Sequence, residues 1–107
     1  MNDILDQLAQ ILEQRKQAST DQSYVAYLHS QGLDKILKKI GEEATEVILA
    51  AKNAQNKHDN KDLIAETADL WFHCMVMLSH LKDDHRAVLK ELESRFQFSG
   101  LVEKSSR

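Results

Sequence analysis

Proline is absent from the 107 residues, and glycine occurs only three times, at Gly32, Gly41 and Gly100. Tight turns lean on those two residue types for their backbone angles, so a fold of many short strands is excluded and an all-helical chain is favoured. Cysteine occurs once, as Cys74 in the most apolar stretch. That excludes a disulfide framework and suits a reduced, cytoplasmic interior. No apolar run approaches the roughly 18 residues of a membrane span, and no charged-then-apolar leader opens the sequence. A basic excess is also missing: 17 Asp and Glu outweigh 14 Lys and Arg, for a formal net charge of -3. General attraction to nucleic acid is thereby excluded, and any phosphate affinity must come from a local cluster. No Gly-rich phosphate loop and no Ser/His/Asp or Cys/His nucleophile arrangement is present.

What is present reads as amphipathic helices. Asp3 is placed to cap a first helix in which Ile4, Leu5, Leu8, Ile11 and Leu12 form one buried stripe, ending near Ala18. Ser19, Thr20 and Asp21 compete for backbone hydrogen bonds and break it; Tyr24 to Leu28 then form a short helix stopped by Gly32. Asp34 is the expected cap of a central helix, lined by Ile36, Ile40, Ala44, Val47 and Ala51 and ending near Lys52 or Asn53. Gln55 to Asn60 read as a loop whose last residue caps the next helix, about Lys61 to Leu81, apolar nearly all round after Leu70. Asp83 or Asp84 caps a final helix carrying Val88, Leu89, Leu92 and Phe96. Gly41 in mid-helix costs about 1 kcal/mol relative to alanine, which points to close packing or a need for room there. A single domain over residues 1–98 is expected, four-helix bundle-like, with a flexible tail over 99–107. So short a chain gains by covering its apolar faces with a second copy.

Ionisable groups interrupt the apolar pattern in two places. On the central helix Lys35, Lys39, Glu42, Glu43 and Glu46 fall within about 60° of one direction. On the next, Asp62, Glu66, Asp69, His73 and His80 share a stripe beside the greasiest part of the chain, where an uncompensated acid is costly. If the two stripes face each other, four or five carboxylates converge. Two like charges about 6 Å apart at an effective dielectric of about 20 repel by roughly 3 kcal/mol, a large fraction of a small domain's stability, and a divalent cation would relieve the strain. The donors are hard oxygens, which suits Mg²⁺, or Mn²⁺ in its place, better than zinc. Mg²⁺ shares its shell with substrate phosphates, which accounts for Lys35 and Lys39 on the same stripe. The plain alternative is a solvated face, with Lys38 to Glu42 and Lys39 to Glu43 pairs worth about a few tenths of a kcal/mol each. His73 reads as a metal ligand, a substrate contact or, most simply, a satisfied core histidine. His29, His58 and His85 read as surface residues.

The motif Glu42-Glu43-x-x-Glu46, nineteen residues, then Glu66-x-x-Asp69 resembles the signature of the all-α nucleoside triphosphate pyrophosphohydrolases, the group of MazG-type enzymes and dimeric dUTPases. Further residues narrow the likeness: Ser23-Tyr24-Val25-Ala26-x-Leu28, Gly32, Lys35-Ile36-x-x-Lys39-Ile40-Gly41-Glu42-Glu43-Ala44-Thr45-Glu46, Ala50-Ala51-Lys52 and Glu66-x-x-Asp69-Leu70-x-x-His73. Over residues 20–96 these resemble the phosphoribosyl-ATP pyrophosphatases of histidine biosynthesis. Val25 departs from the pattern, standing where that family often has threonine. The family also occurs fused to a cyclohydrolase whose metal site needs several cysteines. With Cys74 alone, this sequence is similar to the stand-alone form.

The resemblance implies an all-α fold completed by dimerisation, and a cytoplasmic homodimeric hydrolase with no nucleic-acid or membrane partner. The implied reaction is the second step of histidine biosynthesis, Mg²⁺-dependent hydrolysis of phosphoribosyl-ATP between its α and β phosphates to phosphoribosyl-AMP and pyrophosphate. By the same likeness Glu43, Glu46, Glu66 and Asp69 hold the metal, and Glu42 orients or deprotonates the attacking water, with Glu42 and Glu43 able to exchange roles. Lys35, Lys38, Lys39 and Lys52 are the implied phosphate binders, and Ser23, Tyr24, Asn53 and His73 contact or support the substrate. Two rivals stand beside this reading: a house-cleaning pyrophosphatase acting on free nucleotides such as dUTP, and a helical interaction module with a merely solvated acidic face. A di-iron carboxylate bundle is disfavoured because neither acidic pair is Glu-x-x-His.

Overall fold

A computed structural model describes residues 3–96; the expected tail over 99–107 lies outside the described residues. Five helices follow one another, α1 (Ile4–Arg15), α2 (Tyr24–Gln31), α3 (Leu33–Lys57), α4 (Lys61–His80) and α5 (His85–Phe96), with no strand among the described residues. The all-α expectation holds, including the short helix before Gly32.

The helix starts follow side-chain capping. Asp3 accepts from the Leu5 N–H at 2.9 Å at the head of α1, and Ser23 Oγ accepts from Ala26 N–H at 3.1 Å at the head of α2. Gly32 closes α2 and also opens α3, with φ of 92°. That conformation is strained for any residue with a Cβ, so the sharp corner needs glycine. Asp34, expected as the cap of the central helix, instead lies inside its first turn, where its charge complements the helix dipole. Asn60 takes the cap position of α4, but the carboxylate that bonds Lys61 N–H, at 3.0 Å, is that of Asp59. Of the two candidates before α5, Asp84 does the capping, accepting from Arg86 N–H at 2.9 Å.

Two helix ends differ from expectation. Beyond Arg15, α1 tightens into i to i+3 bonds that carry the turn to Ala18. α3 runs on to Lys57 through residues expected to form a loop, because Ala50 and Ala54 are both buried and nothing between them and Lys57 breaks a helix. It stops at His58, in the left-handed region at φ 56°.

Leu12, Val25, Leu28, Ile36, Met75 and Val76 form the core, with Leu5, Leu8, Tyr27, Ile40, Phe72 and Met77 against it. The buried stripe of α1 is narrower than its sequence implied. Leu5, Leu8 and Leu12 share about 60° of the helix, whereas Ile4 and Ile11 fall on its flank and stay exposed. At Gly41 a Cβ would meet nothing within 4 Å, so of the two expected reasons for a mid-helix glycine close packing is ruled out and a need for room is left. His85, read as a surface residue, is buried, its Nε2 2.8 Å from Asp6 Oδ1, and Arg86 reaches the same oxygen at 3.1 Å. His29 is half-buried, its Nδ1 3.1 Å from that of His80, with the two rings stacked.

α4 is not enclosed all round. Met75 and Val76 are buried, but Trp71 is 58% exposed and lines a shallow apolar groove with Cys74, Leu78, Val88, Leu89 and Leu92. Ile48, Leu49 and Ile64 are exposed on α3 and α4 as well. The radius of gyration is 16.4 Å, against about 13 Å for a compact globule of this length. No described helix is long and apolar enough to cross a membrane.

Candidate active site

Three residues separate α3 from α4, which forces the two long helices antiparallel, and they pack along the longest seam in the molecule. Their charged stripes meet in that seam at Glu43 and Asp69. Glu43 is 8% exposed and faces Asp69, one oxygen of each carboxylate lying with a His73 ring nitrogen inside a 4.8 Å cluster. Loss of hydration raises the Glu43 pKa, and the facing Asp69 raises it further, while His73 and Lys39 pull the other way.

Lys39 is the nearest cation. Its Nζ lies 3.3 Å from Glu42 Oε1 and 3.8 Å from Glu43 Oε2, and the bond to Glu42 raises its pKa. On the other flank His73 is 3% exposed with both ring nitrogens engaged: Nδ1 is 2.8 Å from the Asp69 carbonyl oxygen and Nε2 is 2.9 Å from the Tyr24 hydroxyl. Tyr24 stacks on Phe72 and Tyr27 with ring centroids 6.2 and 6.4 Å away. Burial raises its hydroxyl pKa, and Lys39 offsets part of that. Six expected residues, Tyr24, Lys39, Glu42, Glu43, Asp69 and His73, therefore come together across three helices.

The other expected residues are more spread out. Glu46 is exposed one turn beyond Glu43, and Glu66 is half-buried one turn before Asp69. Neither side chain forms an ion pair or hydrogen bond among the described residues. Lys35 is half-buried one turn before Lys39. Lys38 is exposed and about 140° round α3 from Glu43. Lys52 is about 180° round and about 14 Å along the axis, with Nζ 3.5 Å from Gln55 Oε1. Asn53 is exposed about 15 Å along the same axis. Ser23 is buried, its hydroxyl committed to capping α2. Val25, where the resembling family often has threonine, is buried in the core, so this position packs and presents no hydroxyl.

The donor set fits a hard divalent cation. The facing carboxylates of Glu43 and Asp69 offer hard oxygen donors to an ion, and Glu46 and Glu66 stand one turn away on the same two stripes. His73 is a poorer donor: a carbonyl accepts but never donates, so Nδ1 carries the proton, and the Nε2 lone pair is taken by Tyr24. Asp3, Asp6 and His85 also place three ligand-type atoms within 4.8 Å. There Asp3 is spent on the α1 cap and Asp6 on Arg86 and His85, so the charge is already compensated. Sequence spacing gave no sign of this second cluster, whose members lie 79 residues apart at the longest bond.

Compared with known families, residues 5–96 match the model for phosphoribosyl-ATP pyrophosphohydrolase, a span that takes in every residue of the seam.

Proposed function

Since the chain belongs to the phosphoribosyl-ATP pyrophosphohydrolase family, and is thus a hydrolase of phosphoribosyl-ATP in histidine biosynthesis, we propose that the α3–α4 seam is where the triphosphate is cleaved. The observation that carries this reading is the approach of the buried Glu43 carboxylate to Asp69, within 4.8 Å, beside Lys39. An acid pair under mutual repulsion is a strong site for Mg²⁺, and a lysine at its edge is a ready partner for phosphate oxygens.

Glu43, Asp69, Glu46 and Glu66 would hold the ion. When bound, Mg²⁺ neutralises charge on the phosphate oxygens and makes water a better nucleophile. The chain's own residues supply the rest. Lys39, with Lys35 a turn away, draws the polyphosphate along α3 and leaves the reacting phosphorus next to the acids. Glu42, half-exposed at the mouth and already engaged with Lys39, takes the proton from the attacking water when substrate phosphate claims the lysine. Attack in line with the bridging oxygen breaks the α–β anhydride and releases pyrophosphate and phosphoribosyl-AMP. Lys38, Lys52 and Asn53, farther round or along the helix, reach only the distal parts of the substrate, and Ser23 acts by holding α2 and with it Tyr24.

The same reading makes the protein a cytoplasmic homodimer. The exposed Trp71 groove, Ile48, Leu49 and Ile64 support it, because so much apolar surface on so small a domain is stabilised by a second copy. Purified chain incubated with phosphoribosyl-ATP and Mg²⁺ should release pyrophosphate, with dUTP and ATP turned over far more slowly. Equal rates on free triphosphates, or no release from phosphoribosyl-ATP, would refute the assignment.

A further inference from the structure

The direction of one hydrogen bond assigns a role to the Tyr24 hydroxyl. The Asp69 carbonyl oxygen, 2.8 Å from His73 Nδ1, has no proton to give, so Nδ1 is the donor. In the neutral imidazole Nε2 is then an acceptor, and the Tyr24 hydroxyl, 2.9 Å away, must spend its single proton on it. His73 is 3% exposed and wedged edge-on between Phe72 and Tyr24, at centroid distances of 5.0 and 5.7 Å, so the ring is held against rotation. The Tyr24 oxygen, its proton committed, keeps only lone pairs for the seam, where its partner His73 stands with Glu43 and Asp69 in one 4.8 Å cluster. Phosphate oxygens are themselves acceptors, so this hydroxyl has nothing to offer them.

We propose that Tyr24 orients the attacking water by accepting one of its hydrogens, and that His73 is a positioning residue acting through Tyr24. This rests on the reading of the Glu43 and Asp69 seam as the cleavage site. Water held by one hydrogen at Tyr24 and the other at Glu42 has its lone pair turned away from both, toward the phosphorus. The stacked ring of Tyr24 fixes where the oxygen sits; His73 fixes which way its lone pairs face.

Steady-state kinetics on phosphoribosyl-ATP with Mg²⁺ in alkaline buffer test this with four variants beside wild type. Tyr24→Phe keeps the stack and should lower kcat about tenfold, the kinetic equivalent of one hydrogen bond, with KM within about twofold of wild type. His73→Asn keeps a donor near Nδ1 but loses the acceptor at Nε2, and should lower kcat by a similar factor. His73→Gln, which returns an acceptor near the Nε2 position, should recover part of that loss. Adding His73→Asn to Tyr24→Phe should cost nothing more. Tyr24→Phe with unchanged kcat, or with a large rise in KM alone, overturns the proposal while leaving the cleavage site in place. Strictly additive losses from the two substitutions overturn the part given to His73. If wild type releases no pyrophosphate, the underlying assignment fails instead.

Discussion

Replacing Glu43 with glutamine should stabilise the protein in EDTA and remove its response to Mg²⁺. The carboxyl oxygens of Glu43 and Asp69 lie within 4.8 Å. Two full charges at that distance repel by about 3 kcal/mol at an effective dielectric of about 20. Asp69 is 49% exposed, and Lys39 stands 3.8 Å from Glu43, so solvent and the lysine screen this to about 1–2 kcal/mol. For a domain of this size that corresponds to a rise in Tm of roughly 5–10 °C.

The sign follows from the direction of the pKa shift. Burial and Asp69 raise the Glu43 pKa in the folded state, so the folded protein holds its proton more tightly than the unfolded chain does. The contribution of this group to stability is full below the ordinary carboxyl range and is lost as the pH rises through the raised value. Glutamine has no proton to lose. The gap between variant and wild type should therefore be small in acid and open toward neutral pH, at fixed protein concentration in a thermal melt. Mg²⁺ should then raise the Tm of wild type and leave Glu43→Gln where it was. A variant that melts below wild type at neutral pH in EDTA, or that Mg²⁺ stabilises equally, would refute the convergence of charges at this seam.

Three further outcomes follow from the same geometry. Glu46→Gln and Asp69→Asn should each abolish turnover with helix content by circular dichroism unchanged; substantial activity in either would remove that residue from the metal set. Lys39→Ala should raise KM for phosphoribosyl-ATP several-fold while Mg²⁺ affinity, titrated by the Tm shift, moves little, and an unchanged KM would argue against a phosphate contact. Trp71→Glu in the exposed groove should turn a sedimenting dimer into monomer at micromolar concentration, and a variant that sediments as wild type would place the interface elsewhere.

Much of the fold could be read from local rules, because helix starts are decided by one or two side chains. Asp3 caps where its position implies, whereas Ser23, expected at the substrate, spends its hydroxyl capping α2. The misreadings fall where a tertiary contact outweighs a local preference. α3 passes its expected stop because Ala54 is buried, a tertiary fact that the polar residues around it between Asn53 and Lys57 do not announce. Gly32, not Asp34, opens α3 because the corner after α2 needs a positive φ more than it needs a side-chain cap. His85 pairs with Asp6, far away in the chain, and each alone looks like an ordinary surface residue.

The site was legible for a different reason. Glu43 and Glu46, like Glu66 and Asp69, are local pairs on single helices, and acids beside so apolar a segment had to be answered by something. That argument names a meeting of charges without naming its geometry, and so it could not give the Tyr24 to His73 bond, which depends on α2 crossing the seam. Apolar surface is ambiguous in the same way. The run from Trp71 to Leu78 says that α4 is covered, yet cover from its own chain and cover from a second copy have the same sequence. With Trp71 58% exposed beside Val88, Leu89 and Leu92, the chain's own described helices do not provide that cover. Trp71, Cys74 and Leu78 lie about 140–200° round α4 from Asp69, so the face left for a partner is opposite the acid-bearing stripe, and a variant that loses the interface should keep the seam intact.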